Sequence, residues 1–235
     1  MAVVPEISVV IPIYKSQSTL QELNSRILEH LASKPVEIIY VNDCSPDDSL
    51  RTLQQLTAQH QQVKLVDLAK NVGQQKATLE GLKKATGRKI IVMDGDLQDA
   101  PELIMDLFEQ SSARTTVYVF REGAYQSKAR MLTSRLIKYV MYLLSGLHYK
   151  AGSFYMMDQS ILPRVVDVAS ECRHPYMSII VAHFTDTIKY IPATRPKSIG
   201  QSGYSFIGRL YAAFKAIYCS LYCSYVKLIP AGKDS

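Results

Sequence analysis

The chain has 235 residues, 47% of them hydrophobic and 20% charged, which is typical of one globular α/β domain with an appended segment and excludes a low-complexity architecture. Its 27 Lys and Arg against 21 Asp and Glu give a formal charge of +6. The excess of basic residues lies in the second half, from Arg114 onward. An anionic partner is therefore expected: phosphates, nucleic acid or an acidic membrane surface. No run of 18 apolar residues occurs, so we expect no segment of this sequence to span a bilayer by itself.

The cysteines show no metal-binding pattern. Cys44, Cys172, Cys219 and Cys223 lack zinc-ligand spacing. Cys219 and Cys223 are four residues apart on a predicted helix, a spacing that favours packing over a disulfide. No signal peptide precedes Ile7, so we expect a reducing cytoplasm.

Strand and helix patterns alternate four times within about the first hundred residues. Apolar runs predict strands at 7–12, 36–41, 63–68 and 89–93. Helical spacing predicts helices after Ser16 or Ser18, from Ser45-Pro46, over 74–85 and from Ala100-Pro101-Glu102 onward. This alternation predicts a mostly parallel sheet with helices on both faces. Ligands bind beyond the carboxyl ends of such strands, so the loops after the first, second and fourth strands should converge on one crevice.

The pattern is less regular in the second half. We predict strands at 115–120, 154–157 and 187–191, a basic helix over 127–146, one or two helices within 160–184 and a closing helix over 205–229. The closing segment has aromatic and aliphatic residues at helical spacing, between basic ones: Phe206, Ile207, Leu210, Tyr211, Phe214, Ile217, Tyr218, Leu221, Tyr222 and Tyr225. This predicts an amphipathic helix that either lies in a membrane interface or packs on the sheet or in a dimer.

The fourth predicted strand ends in an acidic segment, Asp94-Gly95-Asp96-Leu97-Gln98-Asp99. Asp94 and Asp96 are two residues apart, so in extended chain their side chains leave the same side. Such hard oxygen ligands suit Mg²⁺ or Mn²⁺ held jointly with a substrate's phosphates. The alternative interpretation is an acidic turn with an N-cap before Pro101, a role that Asp99 alone could fill.

Six segments occur in order between Val9 and Tyr204. They are Val9-Val10-Ile11-Pro12-Ile13-Tyr14, Val41-Asn42-Asp43-Cys44-Ser45-Pro46-Asp47, Asn71-Val72-Gly73, Asp94-Gly95-Asp96-Leu97-Gln98, Phe120-Arg121 and Gly200-Gln201-Ser202. Together they resemble the family 2 glycosyltransferases of GT-A fold, most of all the dolichol-phosphate mannose synthase and polyprenyl-phosphate glycosyltransferase branch. The resemblance implies a Rossmann-like GT-A domain over 1–203, with a nucleotide-binding half (1–112) and an acceptor-binding half (113–203). Residues 204–235 would be a C-terminal amphipathic helix.

The resemblance also implies three groups of site residues. The nucleotide sugar would be bound by Pro12, Tyr14, Asp43, Asp94 and Lys197. The divalent ion, Mg²⁺ or Mn²⁺, would be held by Asp94, Asp96 and Gln98. The acceptor phosphate would be bound by Arg121, Arg130 and Ser134. The implied catalytic residues are Asp96, Arg121, Arg130 and Lys197.

Four positions depart from the pattern of the family. Tyr14-Lys15-Ser16 replaces the common Tyr-Asn-Glu, and Asn42-Asp43 replaces a paired Asp. Ser153-Phe154-Tyr155 stands where many relatives have Asp-Phe-Arg, which removes both charges. Lys197 replaces an Arg, keeping the charge but losing the bidentate fork.

We therefore expect a metal-dependent, inverting glycosyltransferase that moves a sugar from a UDP- or GDP-sugar to a polyprenyl phosphate. It would be peripheral on the cytoplasmic membrane face, with a homo-oligomer or a membrane subunit as a further partner. The alternative acceptor is a hydroxyl of a lipid-linked glycan, as in surface-polysaccharide assembly. A hydroxyl needs a general base. Residues 150–185 contain no evident Glu-Asp dyad at the start of a helix, and Asp158 and Glu171 are the candidates that we name there, which favours the phosphate.

Three other functions fit the residues less well. A sugar nucleotidyltransferase normally has a Gly-rich loop after its first strand, which residues 12–15 lack. A non-catalytic supporting subunit would not need the acidic set after the fourth strand. Nucleic-acid binding ranks last, because the basic residues are not interleaved with base-stacking aromatics on a recognisable module.

Overall fold

A computed structural model of the chain describes residues 4–122, 142, 144–148, 151–194 and 206–228. The strands in these ranges are β1 (Ile7–Ile13), β2 (Val36–Asn42), β3 (Val63–Asp67), β4 (Lys89–Val92), β5 (Thr115–Glu122), β6 (Ala151–Asp158) and β7 (Thr187–Thr194). The helices are α1 (Leu20–His30), α2 (Ser49–Gln59), α3 (Gln74–Leu82), α4 (Leu103–Gln110), α5 (Leu162–Glu171), α6 (Met177–Phe184) and α7 (Phe206–Leu228). A short 3-10 helix, Gln159–Ile161, precedes α5.

The seven strands form one sheet in the order β3-β2-β1-β4-β6-β5-β7. Strands β1 to β4 are parallel, and β5 is parallel to β7. Only β6 is reversed among these strands, antiparallel to both β4 and β5. The predicted mostly parallel α/β sheet is therefore confirmed.

Helices cover both faces of the sheet. The side chains of β1, at its centre, alternate between two separate cores, one on each face. Ile7, Val9 and Ile11 pack with residues of α1, α2 and α4. Val10 packs on the other face, with residues of α3, α5, α6 and α7. Every residue of β1 is buried, which is the near-continuous apolar run expected of a parallel strand covered on both sides.

The reversed direction of β6 has a consequence for the site. Val92 at the end of β4 pairs with Tyr155, so the residues that begin β6 lie beside the residues that follow β4. Ser153 is thereby brought next to Asp94. The sequence predicted a strand at 154–157 but gave no sign of its direction.

Two predicted helices begin later than expected. Helix α2 begins at Ser49 rather than at Ser45, because the Asp47 carboxylate accepts the main-chain N–H groups of Ser49 and Gln17, each at 3.2 Å. Partial burial opposes ionisation of Asp47, but these hydrogen bonds outweigh it and keep its pKa below the ordinary value. Helix α4 begins at Leu103 rather than at 100, after a tight turn in which Leu103 N donates to Ala100 O at 3.1 Å.

Helix α7 packs on the domain through small residues. Its buried positions are Ala216, Cys219, Ser220 and Cys223. Of the aromatic residues that the sequence assigned to the apolar face, Tyr211, Phe214 and Tyr225 are exposed, whereas Tyr218 and Tyr222 are half-buried and pack against the core. Among the described residues, no helix combines the length and the hydropathy needed to cross a membrane.

A buried carboxylate holds the amino edge of the sheet together. Glu37 Oε1 accepts hydrogen bonds from Ser8 Oγ at 2.5 Å and from the N–H and hydroxyl of Thr86 at 2.7 and 2.9 Å. Its Oε2 accepts from Lys64 Nζ at 2.5 Å. Burial opposes ionisation of Glu37, but these donors outweigh burial and lower its pKa.

We predict that Glu37→Gln lowers the free energy of unfolding at pH 7 by about 2 kcal/mol, because an amide loses the Lys64 ion pair and turns an NH₂ toward other donors. The folded-state pKa is depressed, so the wild-type carboxylate contributes stability above the unfolded-state pKa. That contribution is lost as the pH falls through the folded-state value. In urea unfolding from pH 7 to pH 3, the difference between wild type and variant should narrow toward acid. Exposed Glu29 provides the control, Glu29→Gln, and a difference that stays constant with pH would contradict the assignment.

Candidate active site

The carboxyl ends of β1, β2 and β4 surround one cleft of about 470 Å³. It is lined by Pro12, Ile13, Tyr14, Ser16, Asp43, Asn71, Gly73, Gln74, Asp94, Gly95 and Asp96. The predicted convergence of three loops is therefore present, with five predicted site residues in one place. Two other clefts, of about 560 and 720 Å³, lie between α3 and α5 and between α1 and α2, and neither is lined by a predicted site residue.

The backbone turns sharply where these strands end. Lys15, Cys44 and Leu97 have positive φ values of 56°, 51° and 59°, which are uncommon for residues other than glycine. Each lies one or two residues from a residue that lines the cleft. Unusual backbone of this kind is often concentrated at functional sites.

Asp43 is 3% exposed and shapes the floor of the cleft. Its Oδ1 accepts the N–H of Val72 at 2.6 Å, and its Oδ2 accepts the N–H of Gly73 at 2.9 Å. Asn71 Nδ2 donates to the main-chain oxygen of Asp43 at 3.1 Å. Asp43 thus holds the loop that leads into α3, and its contact with a nucleotide base remains a prediction.

The hydrogen bonds of Asn42 give a physical reason for one departure from the family pattern, Asn42-Asp43 in place of a paired Asp. Its amide Nδ2 donates to Asp67 Oδ1, at the end of β3, at 2.7 Å. Its Oδ1 accepts the N–H of Ser45 at 3.3 Å. An ionised Asp at position 42 could not donate to Asp67, so the amide suits its neighbour in this chain.

The acidic segment after β4 contains three carboxylates in different surroundings. Asp94 is partly buried and accepts from Gln74 Nε2 at 2.6 Å and from Ser153 Oγ at 2.9 Å. Asp96 is exposed, and its Oδ1 accepts the N–H of Gln98 at 3.1 Å. Asp99 is 5% exposed and accepts the N–H of Asp94 at 3.1 Å. Asp99 therefore supports the loop and is not the N-cap of α4, which begins after Glu102 with no side-chain cap.

The oxygen donors of this segment fit a divalent ion. Asp94 and Asp96 supply carboxylates, and Gln98 can supply an amide oxygen, all hard ligands suited to Mg²⁺ or Mn²⁺. The described residues contain no group of three or more His, Cys, Asp or Glu arranged to hold a metal. A set of two carboxylates matches an ion that takes its other ligands from water and from substrate phosphates.

The tip of β1 forms the opposite wall of the cleft. Tyr14 is 47% exposed, with Lys15 Nζ 5.3 Å from its ring centroid. Gly95 packs so closely on Ile13 that a side chain there would overlap Ile13 Cδ1. An exposed aromatic ring beside a narrow floor can stack on a flat base, which agrees with the role predicted for Tyr14.

Several predicted residues lie outside the described part of the chain. The backbone of Arg121 belongs to β5, but its side chain is not described. Arg130, Ser134 and Lys197 fall outside the described residues, so their roles stay predictions.

Two contacts were not predicted from the sequence, those of Gln74 and Ser153 with Asp94. Gln74 directly follows the Asn71-Val72-Gly73 segment in the sequence. That position could have identified it as a residue of the site. Ser153 carried no such signal, because its approach to Asp94 depends on the antiparallel pairing of β6 with β4.

The sheet order, the reversed β6 and the acidic pair after β4 define the class of GT-A glycosyltransferases. The family model "Glycosyl transferase family 2" matches residues 8–173. The chain therefore belongs to glycosyl transferase family 2, and the predicted resemblance is confirmed.

Relatives of known sequence agree with this class. An undecaprenyl-phosphate 4-deoxy-4-formamido-L-arabinose transferase of Klebsiella pneumoniae is 30% identical over 224 residues, covering 92% of this chain and 68% of the relative. An uncharacterized glycosyltransferase of Synechocystis is 30% identical over 174 residues, 72% of this chain and 55% of the relative. The chain thus spans between about half and two thirds of the length of these relatives.

Solved structures share the fold. Glucosyl-3-phosphoglycerate synthase of Mycobacterium tuberculosis in complex with UDP matches with a TM-score of 0.61 at 13% identity, over 97% of this chain and 82% of that chain. The mannosyltransferase PcManGT of Pyrobaculum calidifontis, in complex with GDP-Man and Mn²⁺, matches with a TM-score of 0.59 at 16% identity, over 95% and 70%. At these identities the likeness confirms the GT-A fold.

We predict that Asp43→Asn lowers the free energy of unfolding by about 1 to 2 kcal/mol, because one of two buried N–H groups then faces an amide NH₂ instead of a carboxylate oxygen. Hydrogen exchange at Val72 and Gly73 should accelerate at the same time. Asp48→Asn is the matched control, because Asp48 is exposed and makes no side-chain cap. Equal exchange at the two amides in wild type and Asp43→Asn would refute the role of Asp43.

Proposed function

We propose that this chain is a metal-dependent, inverting glycosyltransferase that moves a sugar from a UDP- or GDP-sugar to a polyprenyl phosphate at the cytoplasmic membrane face. The observation that carries the proposal is the cleft at the carboxyl edge, where Asp94 and Asp96 face residues of the β1 and β2 loops. The printed activity of the Klebsiella relative, transfer to undecaprenyl phosphate, supports the choice of acceptor.

Different residues of the cleft would bind different parts of the nucleotide sugar. Tyr14 and Pro12 would contact the base and ribose, and Asp43 would bond to the base while it holds the loop before α3. Asp94, Asp96 and Gln98 would hold Mg²⁺ or Mn²⁺, which when bound supplies Lewis-acid neutralisation of the departing diphosphate. Lys197 would add positive charge to the same group.

The acceptor would attack the anomeric carbon from the face opposite the diphosphate, which inverts the configuration. Arg121, Arg130 and Ser134 would orient the acceptor phosphate. A phosphate is already an anion, so it needs positioning rather than a general base.

The candidate bases for a hydroxyl acceptor do not line the cleft. Asp158 pairs with Lys89 at 2.8 Å, at the start of β4 and away from the end that carries Asp94. Glu171 accepts from Tyr222 Oη at 3.2 Å, at the end of α5. This favours the phosphate acceptor over the hydroxyl of a lipid-linked glycan.

We predict that Asp96→Ala lowers kcat/KM for sugar transfer at least about a hundredfold, because the diphosphate loses one of two carboxylates that hold its ion. A radiolabelled UDP- or GDP-sugar is supplied with Mn²⁺ and either a polyprenyl phosphate or a lipid-linked sugar. Product formed from the polyprenyl phosphate should be labile in mild acid, whereas product from the lipid-linked sugar alone would establish the hydroxyl alternative. Asp106→Ala, on the exposed side of α4, is the control, and unchanged turnover of Asp96→Ala would remove the metal-dependent mechanism.

The exposed side of α7 supports the membrane part of the proposal. Tyr211, Phe214, Leu221 and Tyr225 are 54%, 61%, 54% and 63% exposed; we call these four residues the α7 stripe. Their spacing of three, seven and four residues keeps them on one side of the helix. Residues 206–228 include no Asp or Glu.

One basic group, Lys215, adjoins the α7 stripe. Its Nζ lies 4.3 Å from the Tyr211 ring centroid. Desolvation and the positive charges of Lys215, Arg173 and Lys76 lower the pKa of His174, whose ring contacts Tyr218 of the same helix. Aromatic residues beside cations complement an anionic lipid surface, and that surface is the occupant we propose.

We predict that replacing the four stripe residues with Ser weakens binding to phosphatidylglycerol vesicles at least about tenfold, because each side chain loses apolar contact with the bilayer. Co-sedimentation measures the binding, which should also fall in 0.5 M salt or with phosphatidylcholine alone. Replacing exposed Gln54, Gln55 and Gln59 of α2 with Ser is the control. A concentration-dependent dimer that the stripe variant abolishes, without vesicle binding by the wild type, would assign the stripe to a second copy instead.

A further inference from the structure

Asp94 is held from two separate elements of the fold. Gln74, the first residue of α3, donates from Nε2 to Oδ1, and Ser153 of β6 donates from Oγ to Oδ2, at 2.6 and 2.9 Å. The main-chain N–H of Asp94 donates to Asp99 Oδ2. Both the backbone and the carboxylate of Asp94 are therefore oriented by neighbours that do not belong to β4.

Asp96 differs from Asp94 in this respect. Its side chain is exposed, and its described hydrogen bond comes from Gln98 N in its own loop. The two carboxylates of the candidate metal site are therefore unequal before any ion binds. Asp94 has a fixed orientation, and Asp96 can adjust its own.

Each oxygen of a carboxylate can accept more than one bond. The bonds from Gln74 and Ser153, one to each oxygen of Asp94, restrict the plane of the carboxylate, and a carboxylate oxygen that accepts a hydrogen bond can also coordinate an ion. Holding a ligand in its bound orientation removes part of the entropy that binding would otherwise cost. Hydrogen-bond partners of metal ligands typically change metal affinity by about 10- to 100-fold when they are removed.

We infer that Gln74 and Ser153 are positioning residues that hold the Asp94 carboxylate ready for the divalent ion and the donor diphosphate. This inference rests on the proposed function. Ser153 stands where many members of the polyprenyl-phosphate glycosyltransferase branch have Asp. An ionised Asp cannot donate a hydrogen bond to Asp94. The hydroxyl at 153 therefore provides a hydrogen bond that an ionised carboxylate at this position would not.

The two donors also connect the halves of the domain. Gln74 belongs to the predicted nucleotide-binding half and Ser153 to the predicted acceptor-binding half. Both act on the same carboxylate, so the orientation of Asp94 depends on the docking of β6 against β4 as well as on α3.

The test measures Mn²⁺ binding to the purified chain by electron paramagnetic resonance of free Mn²⁺, in the presence of UDP or of GDP. We expect Gln74→Ala and Ser153→Ala each to weaken Mn²⁺ binding about tenfold or more, while thermal unfolding of the metal-free chain stays cooperative and shows that both variants are folded at the temperature of the measurement. Ser153→Thr keeps the hydroxyl and should bind like the wild type. Gln54→Ala and Ser170→Ala, both exposed and remote from the cleft, are the matched controls.

Turnover provides a second measurement. The Mn²⁺ concentration needed for half-maximal activity should rise in Gln74→Ala and Ser153→Ala, while kcat at saturating Mn²⁺ returns toward that of the wild type. If both variants bind Mn²⁺ as tightly as the controls while Asp96→Ala loses binding, the positioning role is wrong and the proposed function stands. If the wild type binds no Mn²⁺ with either nucleotide, the proposed metal site fails, and the inference fails with it.

Discussion

Ionised carboxylates at the tip of a buried strand are the constraint on which the site depends. Met93 is fully buried, and the six residues after it include Asp94, Asp96 and Asp99. Negative charge beside an apolar core is costly unless donors or cations compensate it. The described donors to these carboxylates include the amide of Gln74, the hydroxyl of Ser153 and main-chain N–H groups. Uncharged donors of this kind stabilise a carboxylate without cancelling its charge.

The opposite edge of the sheet is compensated differently. There, the carboxylates pair with cations close to where the strands begin, as in Lys34–Glu6, Arg88–Glu6, Lys64–Glu37, Lys89–Asp158 and Arg114–Asp186. The exposed pair Arg114–Asp186 adds little stability by itself, whereas Lys64–Glu37 includes a buried carboxylate, and all of these pairs neutralise acids of that edge. At the carboxyl edge, buried Asp43 accepts its described hydrogen bonds from main-chain N–H groups.

The sequence predicted the alternation of elements and the convergence of Tyr14, Asp43 and Asp94 because both follow from local patterns and from the geometry of parallel sheets. It did not predict the direction of β6, because a period of two is the same for either direction. The contact of Ser153 with Asp94 was missed for that reason. The sequence also did not show which residues of α7 pack on the domain: small residues such as Ala216 and Cys219 are buried, Tyr218 and Tyr222 pack beside them, and Tyr211, Phe214 and Tyr225 are exposed.

The strand directions also bring the end of β5 and the start of β6 to the edge of the sheet that carries the cleft. Since β6 is antiparallel to β4 and β5, β5 ends and β6 begins at the carboxyl edge of the sheet, where the cleft lies. Phe120 pairs with Ala151 there. The end of β5 and the start of β6 therefore both lie at this edge, and Arg130 and Ser134 of the predicted acceptor site fall between these two strands in the sequence. Transfer in line requires the attacking and leaving groups to lie on opposite sides of one carbon, and an acceptor site after β5, as predicted, would lie at the same sheet edge as the cleft that contains Asp94.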